Sequence, residues 1–229
     1  MFSLHGYGYS ILQGTYLTIA ISLVSLGISM LLGILGAMAK LSRSKVLQIG
    51  AQVYTTVIRG IPDLVLMLLV FFGGQVLINQ IAPLVGYTEY IDINPFVAGV
   101  STIGLIFGAY MTEAFRGGIL AVPRGQIEAG QAYGMGRLQV FLRIVAPQMV
   151  RHAIPGFGNN WLVMVKTTAL VSIIGLDDMV RKASLAAGAT RLPFTFYVVV
   201  AINYLIITSV SVYLLNRLEK RYSVGVIKA

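Results

Sequence analysis

The sequence has no cysteine, two histidines, one tryptophan and few charges. Without cysteine there is no disulfide framework, thiol nucleophile or zinc–thiolate site. The histidines, His5 and His152, lie too far apart to form a local metal motif. Charged residues make up 11% of the chain, against about 25% in a soluble globular domain. That excludes an ordinary soluble enzyme. Disorder is excluded too, because it needs low hydrophobicity and high net charge. No Gly-x-x-x-x-Gly-Lys-Ser/Thr stretch occurs, so the chain offers no P-loop for ATP. No long Pro-, Ser- or Gly-rich linker, clear internal repeat or insert large enough for a second core is evident.

What is present is apolar surface. Hydrophobic residues make up 57% of 229 residues, and the mean hydropathy is +0.82. Residues 1–39, 64–88, 93–112 and 192–216 hold no Asp, Glu, Lys or Arg. Each run reaches the roughly 20 residues that an α-helix needs to cross a bilayer. None alternates in polarity as a barrel strand does. The spacing predicts spans over about Ile11–Ala39, then one beginning before Asp63 and broken or kinked at Gly60 and Pro62, then about Pro95–Thr112 and Phe194–Leu215. A further span over 152–176 is interrupted by Lys166. The first ten residues carry no Lys or Arg and lack the basic start of a secretory signal peptide.

The formal net charge is +9. In a soluble chain that suggests nucleic acid, but in a membrane chain basic residues gather in cytoplasmic loops, and no nucleic-acid partner is expected. With the N-terminus outside, twelve of the 17 Lys and Arg fall on the inside, from Lys40 to Lys45, from Arg116 to Arg151 and from Arg217 onward. The segment Lys166–Arg191 holds four and argues the other way. Five spans are expected, N-terminus out and C-terminus in. A four-span arrangement with 166–191 inside is the alternative.

The longest polar insert, about 113–151, reads as helix, turn, helix. Pro123 suits a helix start, Gly134 a helix end at positive φ, and Leu138, Phe141, Leu142 and Val145 recur at helical spacing. Pro147 is expected to stop or kink the second helix. Periodicity alone allows nothing more than a structured loop at the membrane surface.

Within that insert, Glu128-Ala129-Gly130, three residues, Gly134, nine residues, then Ile144-Val145-Ala146-Pro147 resembles the cytoplasmic signature of ABC importer permeases. Gly130 and Ala146 stand where the signature has Ala and Leu. The stretches Thr56–Val65, Tyr110–Ile119, Pro155–Trp161 and Lys166–Ser172 extend the resemblance, which is to the polar amino-acid permeases, the basic-amino-acid and opine branches above all. The resemblance implies an all-α polytopic membrane protein of the type I importer permease fold, with five transmembrane helices, the N-terminus outside and the C-terminus cytoplasmic. It implies that residues 1–229 form a single permease domain with a cytoplasmic coupling loop at about 117–150. It implies no catalytic residue, metal site or cofactor in this chain, with ATP and magnesium held by a partner ATPase. Implied partners are a homologous second permease subunit, two ATP-binding subunits, an external solute-binding protein, a small amino acid and membrane lipid in a bacterial inner membrane. Glu128, Ala129, Gly130, Gly134, Ile144 and Pro147 are its implied ATPase-coupling residues, with Glu128 mechanical rather than acidic in role. An ion-coupled carrier or a purely structural subunit remains the alternative class.

Residues of a substrate path are less marked. Asp63 and Glu113, near span ends, either attract a cationic amino acid or pair with Arg59 and Arg116. Asn159 and Asn160 either line the path or bond between helices. Lys166 either snorkels, pairs with an acid, or stabilises a break in its span. Asp177 and Asp178 are placed to cap or flank a helix outside the membrane.

Overall fold

The computed structural model describes residues 4–222. Helix α1, Gly8–Lys40, spans 33 residues, about 50 Å at 1.5 Å per residue. Apart from Ile11 and Ile21, its buried stripe is small or polar: Gly14, Thr15, Thr18, Ser22, Ser25, Ser29, Gly33, Gly36 and Ala37. The hydroxyls of Thr15, Thr18 and Ser22 donate to carbonyls one turn back, so none is left unpaired in an apolar setting. Ser25 instead donates across the interface to the Val100 carbonyl at 3.2 Å.

Lys45–Gly60 forms α2. The backbone is extended at Ile61 and Pro62, and α3 then runs Asp63–Val85, with a π turn at Leu69–Gly73. Of the two expected outcomes, break or kink, the chain takes the break, because Pro62 cannot donate to the ladder and drives the preceding residue to the β region. Asn94 caps α4, Pro95–Leu120, by accepting from Phe96 N–H at 2.8 Å, and Pro95 occupies the first turn.

Helices α1 and α4 make the central seam. A Cβ on Gly33 would lie 2.5 Å from Met111 Cβ, and one on Gly104 2.6 Å from Ile28. Glycines let two backbones approach closely where lipid supplies no hydrophobic drive. The main core lies beside this seam: Ile21, Met67, Ile103, Ile106, Phe107, Met164 and Val171 are all buried.

After α4 come α5, Arg124–Ala132, and α6, Arg137–Val140. A π turn, Phe141–Val145, leads directly into α7, Ala146–Thr167. Pro147 therefore does not end the second loop helix as expected. It sits in the first turn of α7, and the wider π turn before it accommodates a residue that cannot donate. Nor does Lys166 interrupt its helix. It lies exposed in the last turn of α7, where the helix dipole favours a cation. The break follows, as a 3₁₀ turn at Thr168–Ser172 and a left-handed Gly175. Asp178 caps α8, Met179–Thr190, and α9 runs Pro193–Tyr222.

Among the described residues, four helices are long and apolar enough to cross a membrane: α1, α3, α4 and α9. The expected fourth span, over 152–176, falls largely on α7, which carries Arg151, His152 and Lys166 and is not among the four.

Candidate coupling loop and polar cavity

The loop between α4 and α7 has a small core of its own. Val122, Val140 and Val145 are buried there, with Ile127, Met135, Phe141 and Ile144 packed around them. Pro123 stands at the N-cap of α5. Gly134 ends the helix with φ +81°. Gly134 N–H donates to Gln131 O at 2.9 Å and Met135 N–H to Gly130 O at 3.0 Å, the bonding of a Schellman cap.

Gly130 is buried and faces inward. A Cβ there would meet Ile144 Cδ1 at 2.6 Å. Its smallness serves the contact between the loop helices, and Glu128 and Ala129 are left exposed on the outer side. Tyr133 and Leu138, at 88% and 69% exposure, stand beside them as large uncovered side chains. Gln148 donates to Gln126 and to Ile144 O, tying α5 to the start of α7 next to the exposed Pro147. Packed and hydrogen-bonded groups thus join α5 to α7.

A second feature is a cavity of about 350 Å³ between α2 and α4, lined by Gln52, Thr55, Thr56, Arg59, Gly60, Tyr110 and Glu113. Gln52, Thr56 and Arg59 share one face of α2 at helical spacing. The Arg59 guanidinium stands 5.2 Å from the centre of the Tyr110 ring, a cation–π distance. Glu113 accepts from Lys40 Nζ and, at 3.1 Å, from Arg116 Nε. The Lys40 side chain is only 7% exposed and also donates to Gln52 at 2.8 Å. The Arg116 partnership is as the sequence suggested. The Asp63–Arg59 pair does not form: the extended break at Ile61–Pro62 removes the i, i+4 geometry of a continuous helix.

The other path residues are not gathered here. Asp63 sits half-buried in the first turn of α3 with no ion pair among the described residues. Asn160 faces Met111 Sδ at 3.9 Å, which makes it a contact between α7 and α4. Asn159 lines a different cleft, between α7 and α9, with Asn216 and Glu219. Lys166 is exposed at the far end of α7. Gln52 and Tyr110 were not singled out as site residues from the sequence, and Lys40 and Arg59 were read only as an inner-side charge and a partner for Asp63, although the spacing of Gln52, Thr56 and Arg59 was a readable sign.

The chain belongs to the family of binding-protein-dependent transport system inner membrane components, whose family model matches residues 29–224. It is 50% identical over 226 residues to the histidine/lysine/arginine/ornithine transport system permease protein HisQ of Salmonella typhimurium, covering 99% of each chain. It is 46% identical over 206 residues to the octopine transport system permease protein OccQ of Agrobacterium tumefaciens, covering 90% of this chain and 87% of that one. A crystal structure of an amino acid ABC transporter with histidines superposes with a TM-score of 0.79 at 32% identity, over 94% of this chain and 95% of the other. The MetNI methionine ABC transporter matches at a TM-score of 0.73 and 16% identity, over 93% and 96% of the two chains, and shares the fold. The chain is thus an all-helical permease subunit of the type I ABC importer fold, in the inner membrane. Membership implies an ATP-binding subunit and a solute-binding protein as partners.

Proposed function

We propose that this chain is one of two homologous permease subunits of an importer for basic amino acids, working with two ATP-binding subunits that hold ATP and magnesium. The 50% identity to a histidine/lysine/arginine/ornithine permease across 99% of both chains carries the substrate class. In this reading the chain crosses the membrane five times, α7 being the fourth crossing, with the N-terminus outside. The excess of basic residues on the assigned inner side supports it.

The α5 face bearing Glu128 and Ala129 docks on the ATPase. Gly130, Gly134, Ile144 and Pro147 keep that face rigid against α7. Coupling of this kind needs two states and contacts that differ between them, not a catalytic group. Glu113 is the acid on the polar cavity; Lys40 and Arg116 already hold its carboxylate, so a passing ammonium or guanidinium group reaches it only by displacing the more exposed Arg116. Asp63, Asn159, Asn160 and Lys166 lie outside this cavity.

The test is uptake into vesicles holding the assembled transporter and its binding protein. ATP-dependent accumulation of histidine, arginine, lysine or ornithine is expected, with glutamine excluded. Transport of octopine alone favours the opine branch, which the 46% identity to an octopine permease supports. Uptake without ATP that collapses on dissipating ion gradients overturns the ABC reading.

A further inference from the structure

Where α8 meets α1 and α9, buried polar atoms converge. Asp178 is fully buried. Its Oδ1 accepts from Arg181 N–H at 2.9 Å, but Oδ2 has no partner. The Tyr204 hydroxyl, on α9, is also buried and unpartnered. It lies beside the Thr168 side chain, close enough to interact but short of good hydrogen-bond geometry, and within electrostatic reach of Asp178. Thr168 is buried and donates to Val165 O at 2.6 Å, which leaves its oxygen free to accept. Helix α1 closes the far side. Thr18 Oγ1 accepts from Met179 N–H at 3.3 Å, and a Cβ on Gly14 would come within 2.8 Å of the Asp178 backbone.

We propose that Asp178, Tyr204 and Thr168 enclose a buried site for one water molecule and one proton, held on Asp178, which ties the 168–179 segment to α9. Two orphaned polar atoms in a closed junction are the usual mark of an internal water. That water's oxygen accepts from the protonated Oδ2 and from Tyr204, and one of its hydrogens goes to Thr168. A charged carboxylate here would lack a contacting cation, because Lys182 is paired with Asp177 at 2.8 Å. Burial is the main cause that pushes the Asp178 carboxyl up to about 6, with Asp177 adding to it and Arg181 and the α8 backbone opposing. Titratable groups facing the site are Asp177 and Arg181 on its own element and Tyr204 on α9.

A folded-state value above the ordinary carboxyl range means the junction is most stable with the proton bound, and loses that stability as pH rises through about 6. The inference concerns this chain's own packing and stands apart from the substrate reading. Infrared titration of the purified transporter in detergent tests it. A protonated-carboxyl band is expected at low pH, lost as pH rises through about 6 and absent in Asp178→Asn, which keeps an oxygen for the cap. Tyr204→Phe keeps the cap intact but removes a donor to the bridging water, which turns its second hydrogen to the anion when Asp178 ionises, so its band should titrate about half a unit or more higher. No Asp178-dependent band at low pH, or an unmoved midpoint in Tyr204→Phe, overturns the proposal.

Discussion

A lysine with a side chain 7% exposed is a stability commitment that a surface lysine is not. Removing Lys40 leaves Glu113 facing only Arg116, whose own side chain is 40% exposed. Lys40→Ala is expected to cost about 3 kcal/mol, and Arg116→Ala less than about 1 kcal/mol, compared by thermal unfolding in detergent. Equal losses would show that the pair is solvated. The seam glycines divide just as sharply. Gly33→Val forces a branched side chain onto Met111 and Phe115 and should cost about 1–3 kcal/mol or more. Gly27, with nothing within 4 Å of a built Cβ, should accept alanine without loss, since alanine is the better helix former by about 1 kcal/mol. Loss in both variants would point to general fragility of α1 rather than to close approach.

At the scale of elements, the loop between α4 and α7 behaves as a unit. Gly134 lies at positive φ, where a β-branched residue is strained. Gly134→Val is expected to leave the protein in the membrane while ATPase stimulation and transport fall at least tenfold. Normal stimulation together with normal membrane levels would remove the coupling role. Pro123, Gly134 and the Leu138–Val145 periodicity made this helix–turn–helix legible in the sequence, because each acts through local backbone geometry. The inward role of Gly130 was not legible. It depends on Ile144, fourteen positions away, arriving against it. Pro147 misled for a related reason: its effect on a helix depends on whether the turn before it widens, and the π turn at Phe141–Val145 has no local marker. The polar cavity joins α2 to α4 and the Lys40–Glu113 pair spans 73 positions, so spacing along either helix alone could show only half of each.

For the whole molecule, the absence of cysteine makes every introduced thiol unique. His5→Cys, Glu89→Cys and Leu185→Cys should react with an impermeant reagent from outside, and Gln131→Cys only after permeabilisation. Outside labelling at 131 would reject the N-out arrangement, and protection at 185 would favour four spans. The seam between α1 and α4 also bears on how the chain is made. In the most apolar stretch of α3 only 11% is buried, against 67% in α4. During synthesis α3 leaves the ribosome before α4 and needs little beyond lipid around it. Helix α4 is the least apolar of the four, and its glycine face is shaped for α1, which has waited since the start of translation. Partitioning of α4 into the bilayer thus depends on a neighbour already there. A bulky residue at Gly104 would then act before folding is complete, leaving α4 stranded at the insertion machinery while α1 and α3 sit normally in the membrane.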